Sequence, residues 1–111
     1  MDNEIKTWLY DMLQSTIEIE SYFENKEKRY DDFIKDRKLK RAVERNIEII
    51  GEAINRILKK DSNFNITNAR KIVDTRNRII HGYDTVTDDF LWSIIINHIP
   101  QLRVELEEFF K

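Results

Sequence analysis

The chain has 111 residues, a formal net charge of −2, 36% charged residues, two Gly, one Pro and no Cys. These counts exclude a disulfide framework, a thiolate metal site and a cysteine nucleophile, and the scarcity of Gly and Pro leaves little material for the hairpins of a β-sandwich or barrel. With 41% hydrophobic residues the composition suits one helical domain over residues 1–111.

The first predicted helix starts at Asp2 or Asn3, both good caps, and carries Ile5, Leu9, Met12, Thr16, Ile19 and Phe23 at helical spacing, widened by Leu13 and Ile17. It ends near the charged run from Glu24 to Arg29. Asp31-Asp32-Phe33 reads as the start of a short helix or turn. A second long helix over about Asp36 to Lys59 buries Leu39, Ala42, Val43, Asn46, Ile47, Ile50, Ile54, Ile57 and Leu58. Gly51 lies inside it where Ala would be ~1 kcal/mol better, which predicts a neighbouring helix crossing closely at that point.

Asp61 to Asn65 is the clearest loop. Asn65 or Thr67 is expected to cap a third helix with Ile66, Ala69, Ile72, Val73, Ile79 and Ile80 inward, stopped by Gly82. A last helix runs from Thr87-Asp88-Asp89 to the C-terminus, kinked rather than ended by Pro100. The expected architecture is an all-α, up-and-down bundle of four main helices plus a short extra helix. No apolar run exceeds three residues, as in Ile94-Ile95-Ile96, against the ~20 of a membrane span. The start Met1-Asp2-Asn3-Glu4 lacks a signal-peptide pattern, so a cytoplasmic location is expected.

The net charge hides an asymmetry. Residues 1–25 carry −5, 26–60 carry +5, 61–83 carry +2 and 84–111 carry −4. Phosphate binding needs a local positive surface, and Lys35, Arg37, Lys38, Lys40, Arg41 and Arg45 supply the material for one; Arg41, Arg45 and Arg78 are the candidate phosphate contacts. The competing reading is a solvated face on which Glu44 and Glu48 pair with the arginines.

His98 falls on the apolar stripe of the last helix, where a lone histidine is ordinarily a core or interface residue. No second His, Cys, Asp or Glu lies near His98 with metal-ligand spacing, and no Gly-rich phosphate loop or H-E-x-x-H occurs. In the third helix the apolar period Ala69, Ile72, Val73, Ile79, Ile80 demands a hydrophobic residue at 76 and finds Arg76. A guanidinium on a packing face must be paired or line a cavity. Arg78 falls on the outer side with Lys71 and Thr75. Five residues at ~100° each put His81 about 140° from Arg76. The two can converge if the helix end unwinds at Gly82 or if two copies of the segment meet across a two-fold axis.

The run Arg76-Asn77-Arg78-Ile79-Ile80-His81-Gly82-Tyr83 resembles the R-x-x-x-x-H-x-Y signature of HepT-like toxins in the HEPN superfamily. Arg41-Ala42-Val43-Glu44-Arg45-Asn46-Ile47-Glu48-Ile49-Ile50-Gly51-Glu52-Ala53 resembles that family's second long helix, and Trp92 with Pro100-Gln101-Leu102 its last one. A family aromatic, often Trp, several positions before the motif Arg is replaced here by the stretch Ala69-Arg70-Lys71.

The resemblance implies a dimerising, HEPN-like helical domain with no cofactor and no metal. It implies a metal-independent endoribonuclease, the toxin of a toxin-antitoxin pair, with its active site at a homodimer interface. Arg76 and His81 are then the catalytic pair, Asn77 a supporting polar residue, and Tyr83 the acceptor for adenylylation by an MNT-type nucleotidyltransferase antitoxin. The chemistry suits these residue types: a histidine can exchange protons near neutrality, so it can take the proton of the RNA 2'-hydroxyl and later return one. An arginine fork stabilises the charge on the phosphorane, and attack by the substrate's own 2'-oxygen with loss of the 5'-oxygen gives a 2',3'-cyclic phosphate as the expected product. Two alternatives stand beside this one, a non-catalytic substrate-binding partner of a nucleotidyltransferase and a structural dimeric bundle whose Arg76 pairs with a buried acid.

Overall fold

The computed structural model describes residues 1–67, 69–82 and 86–111. Six helices occur among them: α1 (Asn3–Ser21), α2 (Tyr30–Lys35), α3 (Arg37–Lys60), α4 (Ala69–His81), α5 (Asp88–Asn97) and α6 (Ile99–Glu108). The protein is all-α, as its composition and periodicity predict.

Local chemistry sets most of the boundaries. Asp2 caps α1 by accepting from the Glu4 and Ile5 amides at 2.9 and 3.1 Å. Asp36 caps α3 through the Leu39 amide at 2.9 Å, and Thr87 caps α5 through Phe90 at 3.3 Å. α4 begins later than expected, at Ala69, and residue 68 lies outside the described residues. Thr67 instead donates its backbone N–H to the Glu105 carboxylate of α6, 2.9 Å from Oε2, and Ile66 is buried ahead of the helix.

The last helix departs further from expectation. It is two helices, with His98 serving as the C-cap of α5 and the N-cap position of α6. Pro100 has no N–H to return to the Ile96 carbonyl, and regular bonding resumes only when the Leu102 amide reaches the His98 carbonyl at 2.9 Å.

α3 is the central element, packed along its length against α1 and α4, while α6 lies on α1 and α5, and α2 bridges α3 and α5. Ile47, Ile50, Ile54 and Ile57 of α3 are fully buried against Leu9, Met12 and Ile19 of α1, Ile72 of α4, Ile94 of α5 and Leu106 of α6 in one core. Asn46, on the same stripe, is satisfied by donating to the Tyr22 hydroxyl at 2.9 Å and the Ala42 carbonyl at 3.2 Å. α4 packs on α3 and leaves Arg70, Asp74, Asn77, Arg78 and His81 exposed. No helix among the described residues is long and apolar enough to cross a membrane.

Candidate active site

The site begins at Gly51. A Cβ added there would lie 2.5 Å from Arg76 Cβ and 2.9 Å from its Cγ. The close crossing that Gly51 implies is therefore real, and what crosses it is the stem of Arg76. The stem lies on the α3 backbone and delivers the guanidinium to Glu52, the next residue of α3. Nη2 donates to Glu52 Oε2 at 2.8 Å, and Nη1 donates to Asn77 Oδ1 at 3.0 Å. Nε is buried and finds no partner among the described residues. The other Glu52 oxygen faces Arg56 Nη2 at 3.4 Å. Arg76 is thus both paired and at the wall of a cavity, the two outcomes that its place on the apolar stripe allows.

The cavity is a cleft of about 330 Å³ between α1, α3 and α4. Trp8 and Asp11 of α1, Arg45, Glu48, Glu52 and Arg56 of α3, and Arg76 and Ile80 of α4 line it. Neither Trp8 nor Glu52 stands out in the sequence as a site residue. Glu52 had a signal, since it lies one residue after a glycine that must receive a crossing helix. Trp8 has none, because it sits beside the apolar stripe of α1 as any amphipathic wall residue does.

His81 is not in this cleft. α4 is continuous from Ala69 through His81; the Gly82 amide still bonds the Arg78 carbonyl at 2.9 Å, and no described glycine has a positive φ. The helix end does not unwind, so Arg76 and His81 stay on different sides of one regular helix. Arg76 is three-quarters covered, with 21% of its side chain exposed, whereas His81 and Asn77 are exposed. Tyr83 lies outside the described residues.

The remaining candidates divide. Arg41 and Arg45 are on the exposed side of α3 and each holds an acid one turn on, Glu44 at 2.9 Å and Glu48 at 3.3 Å. Arg45 reaches the cleft and Arg41 does not. Arg78 is exposed and lies over the Phe90 ring, 4.7 Å from its centroid, with Lys71 on the same ring at 5.0 Å. Thr75 was expected beside them on the outer side. It is fully buried instead and donates to the Lys71 carbonyl at 2.8 Å, which lets a polar residue sit in the core without a lost hydrogen bond. His98 is part-buried with Nδ1 unpartnered among the described residues. Its burial and, less, the Lys71 charge hold its imidazole below the usual value. No cluster of three or more His, Cys, Asp or Glu side chains among the described residues is arranged to hold a metal ion.

The helical domain seats an arginine on a glycine of its central helix and carries a histidine five residues on, and residues 12–109 match the family described as "Ribonuclease HepT-like". The chain belongs to the HepT-like ribonuclease family. Among the relatives of this HepT-like chain, "Putative RNase MJ0127" of Methanocaldococcus jannaschii is 29% identical over 97% of this chain and 88% of its own length. "Putative RNase MJ1380" of the same organism is 32% identical over 94% of each. "Probable ribonuclease HepT" of Thermococcus cleftensis is 30% identical over 97% of each. No solved structure matches the chain.

Proposed function

We propose that this HepT-like chain is a metal-independent endoribonuclease whose active site is completed by two copies of the chain. The observation that carries this reading is the separation of Arg76 and His81 on one unbroken helix. Regular geometry puts them about 140° apart, so one copy presents a held guanidinium in a cleft and a free imidazole elsewhere. A two-fold partner would bring the imidazole of one copy to the guanidinium of the other. The open side of α4, with exposed Asn77 and His81, is the surface available for that contact.

In the assembled groove His81 takes the proton of the RNA 2'-hydroxyl, and the 2'-oxygen attacks the adjacent phosphorus. Arg76 donates to the non-bridging oxygens as charge builds on them. The bond to the 5'-oxygen breaks, that oxygen receives a proton from the imidazolium, and the products are a 2',3'-cyclic phosphate and a 5'-hydroxyl. Asn77 supports Arg76 through the 3.0 Å contact with Nη1. Arg45, at the cleft, is the best placed of the RNA-binding candidates; Arg41 lies further along the same helix, and Arg78 is engaged with Phe90.

The wider role is the toxin of a toxin-antitoxin pair acting in the cytoplasm, restrained by an MNT-type nucleotidyltransferase that adenylylates Tyr83. An AMP on that hydroxyl would bring a bulky anion two residues beyond His81. The structural alternative, Arg76 in a buried ion pair, is disfavoured because Glu52 keeps 42% of its side chain exposed. The test is cleavage of a labelled RNA by the purified protein, with and without EDTA. Cleavage that survives EDTA and is lost in His81→Ala is expected. Unchanged cleavage by His81→Ala would remove the assignment.

A further inference from the structure

An arginine that must stabilise a phosphorane has to present its free N–H groups in one fixed direction, and a long side chain on a helix surface does not do so unaided. Arg76 has two restraints. The first is steric: its Cβ and Cγ occupy the space that any side chain at position 51 would fill. The stem cannot swing toward α3 and has no route through it. The second is directional: Glu52 Oε2 takes one N–H of Nη2 at 2.8 Å, while Glu52 Oε1 faces Arg56 at 3.4 Å and so is itself held on its other side. With Nε buried and Asn77 on Nη1, what remains of the five donors is one N–H on each Nη. Exposed ion pairs are ordinarily loose. This one is anchored by the packing of the stem, so its geometry follows from the crossing of α3 and α4.

We propose that Glu52 is a positioning residue for Arg76, with Gly51 as its seat: the pair fixes the direction in which the guanidinium presents its remaining donors to the phosphate. This rests on the ribonuclease reading above. Glu52 does not touch the reacting atoms. Its negative charge is tolerated beside an anionic substrate because Arg56 and Arg76 both neutralise it. Removing it frees the guanidinium to sample directions that miss the phosphorane, and a misplacement of about 1 Å costs up to ~10²-fold in rate. Replacing it by an amide keeps an acceptor oxygen in the same place.

The experiment compares wild type, Glu52→Ala, Glu52→Gln and His81→Ala on a fluorescently labelled single-stranded RNA. Binding is measured on the same oligonucleotide with 2'-deoxy sugars, and the order of the Arg76 side chain by NMR relaxation at its Nε–H. Glu52→Ala is expected to lower kcat by about 10- to 100-fold with KM and deoxy-oligonucleotide affinity changed by less than about threefold. Glu52→Gln should recover to within about threefold of wild type. The Nε–H signal should be ordered in wild type and Glu52→Gln and averaged in Glu52→Ala. Wild-type or raised kcat in Glu52→Ala overturns the proposal, as do equal defects in Ala and Gln, a loss confined to KM, or an unchanged Nε–H signal. If wild type itself cleaves no RNA, the ribonuclease reading fails, and the NMR comparison alone then decides whether Glu52 orders Arg76.

Discussion

Two gaps between helices in this protein are closed by large side chains, and they are closed in opposite ways. Where α2 and α5 meet, Phe33 is 1% exposed and stacks on Trp92 with ring centroids 5.3 Å apart, while Phe23 and Tyr30 approach the same indole edge-on at 6.0 and 5.9 Å. Where α3 and α4 meet, the position that helical period reserves for an apolar residue holds Arg76, and its partner is a half-exposed carboxylate. Rings fill the first gap, with Phe33 buried against Trp92. The guanidinium closes the second with its stem and keeps donors free at the cleft. An arginine in a packing stripe thus keeps polar donors at a cleft wall where a glycine receives its stem.

That contrast can be broken by exchanging its consequences. The largest stability effect belongs to the aromatic side: Phe33→Ala is expected to lower unfolding free energy by about 3–5 kcal/mol, measured by chemical denaturation, while cleavage per folded molecule stays at the wild-type level. Arg76→Ala should do the reverse. Its cleavage rate should fall about 10²- to 10³-fold, with an unfolding midpoint much closer to wild type than that of Phe33→Ala. A midpoint as low as that of Phe33→Ala would mean Arg76 is a structural residue after all. Gly51→Ala tests the seat itself. Alanine is the better helix former by ~1 kcal/mol, yet the added methyl meets Arg76 Cβ; at the upper end of the ~1–3 kcal/mol overpacking range the net is a loss of about 2 kcal/mol in thermal or denaturant unfolding.

The smallest effect is a pH dependence. Burial holds the His98 imidazole below its ordinary 6.5, so the folded protein favours the neutral ring and the unfolded chain binds the extra proton first. Stability is therefore complete above about 6.5 and lost as pH falls through the lower folded value. His98→Gln should flatten the thermal melting midpoint across that window. An equally steep fall in the variant would assign the dependence to other groups.

Much of this was legible in the residues. Apolar period located α1, α3 and α4; Asp2 and Thr87 announced their caps; Gly51 announced a close crossing, and Arg76 declared itself by interrupting a stripe. The order in which these meet was not legible. Nothing in the local sequence says that the residue received by Gly51 is Arg76, because that depends on the register of α4 against α3. Glu52 became a partner only through that register. The inward turn of Thr75 was missed because threonine reads as polar, although its hydroxyl can satisfy itself on its own helix. The break at His98 rather than at Pro100 follows from the missing proline N–H, whose effect falls on the turn before it.

Arg76 and His81 stand apart around one continuous α4, and subunit mixing tests directly whether two copies complete one site. Arg76→Ala and His81→Ala proteins, each inactive alone, are unfolded together, refolded at equal concentration and assayed for RNA cleavage. If each site takes its arginine from one copy and its histidine from the other, half of the random dimers carry one intact site of two, and roughly a quarter of wild-type activity returns. No recovery from a mixture shown to contain mixed dimers would contradict a site shared between two copies.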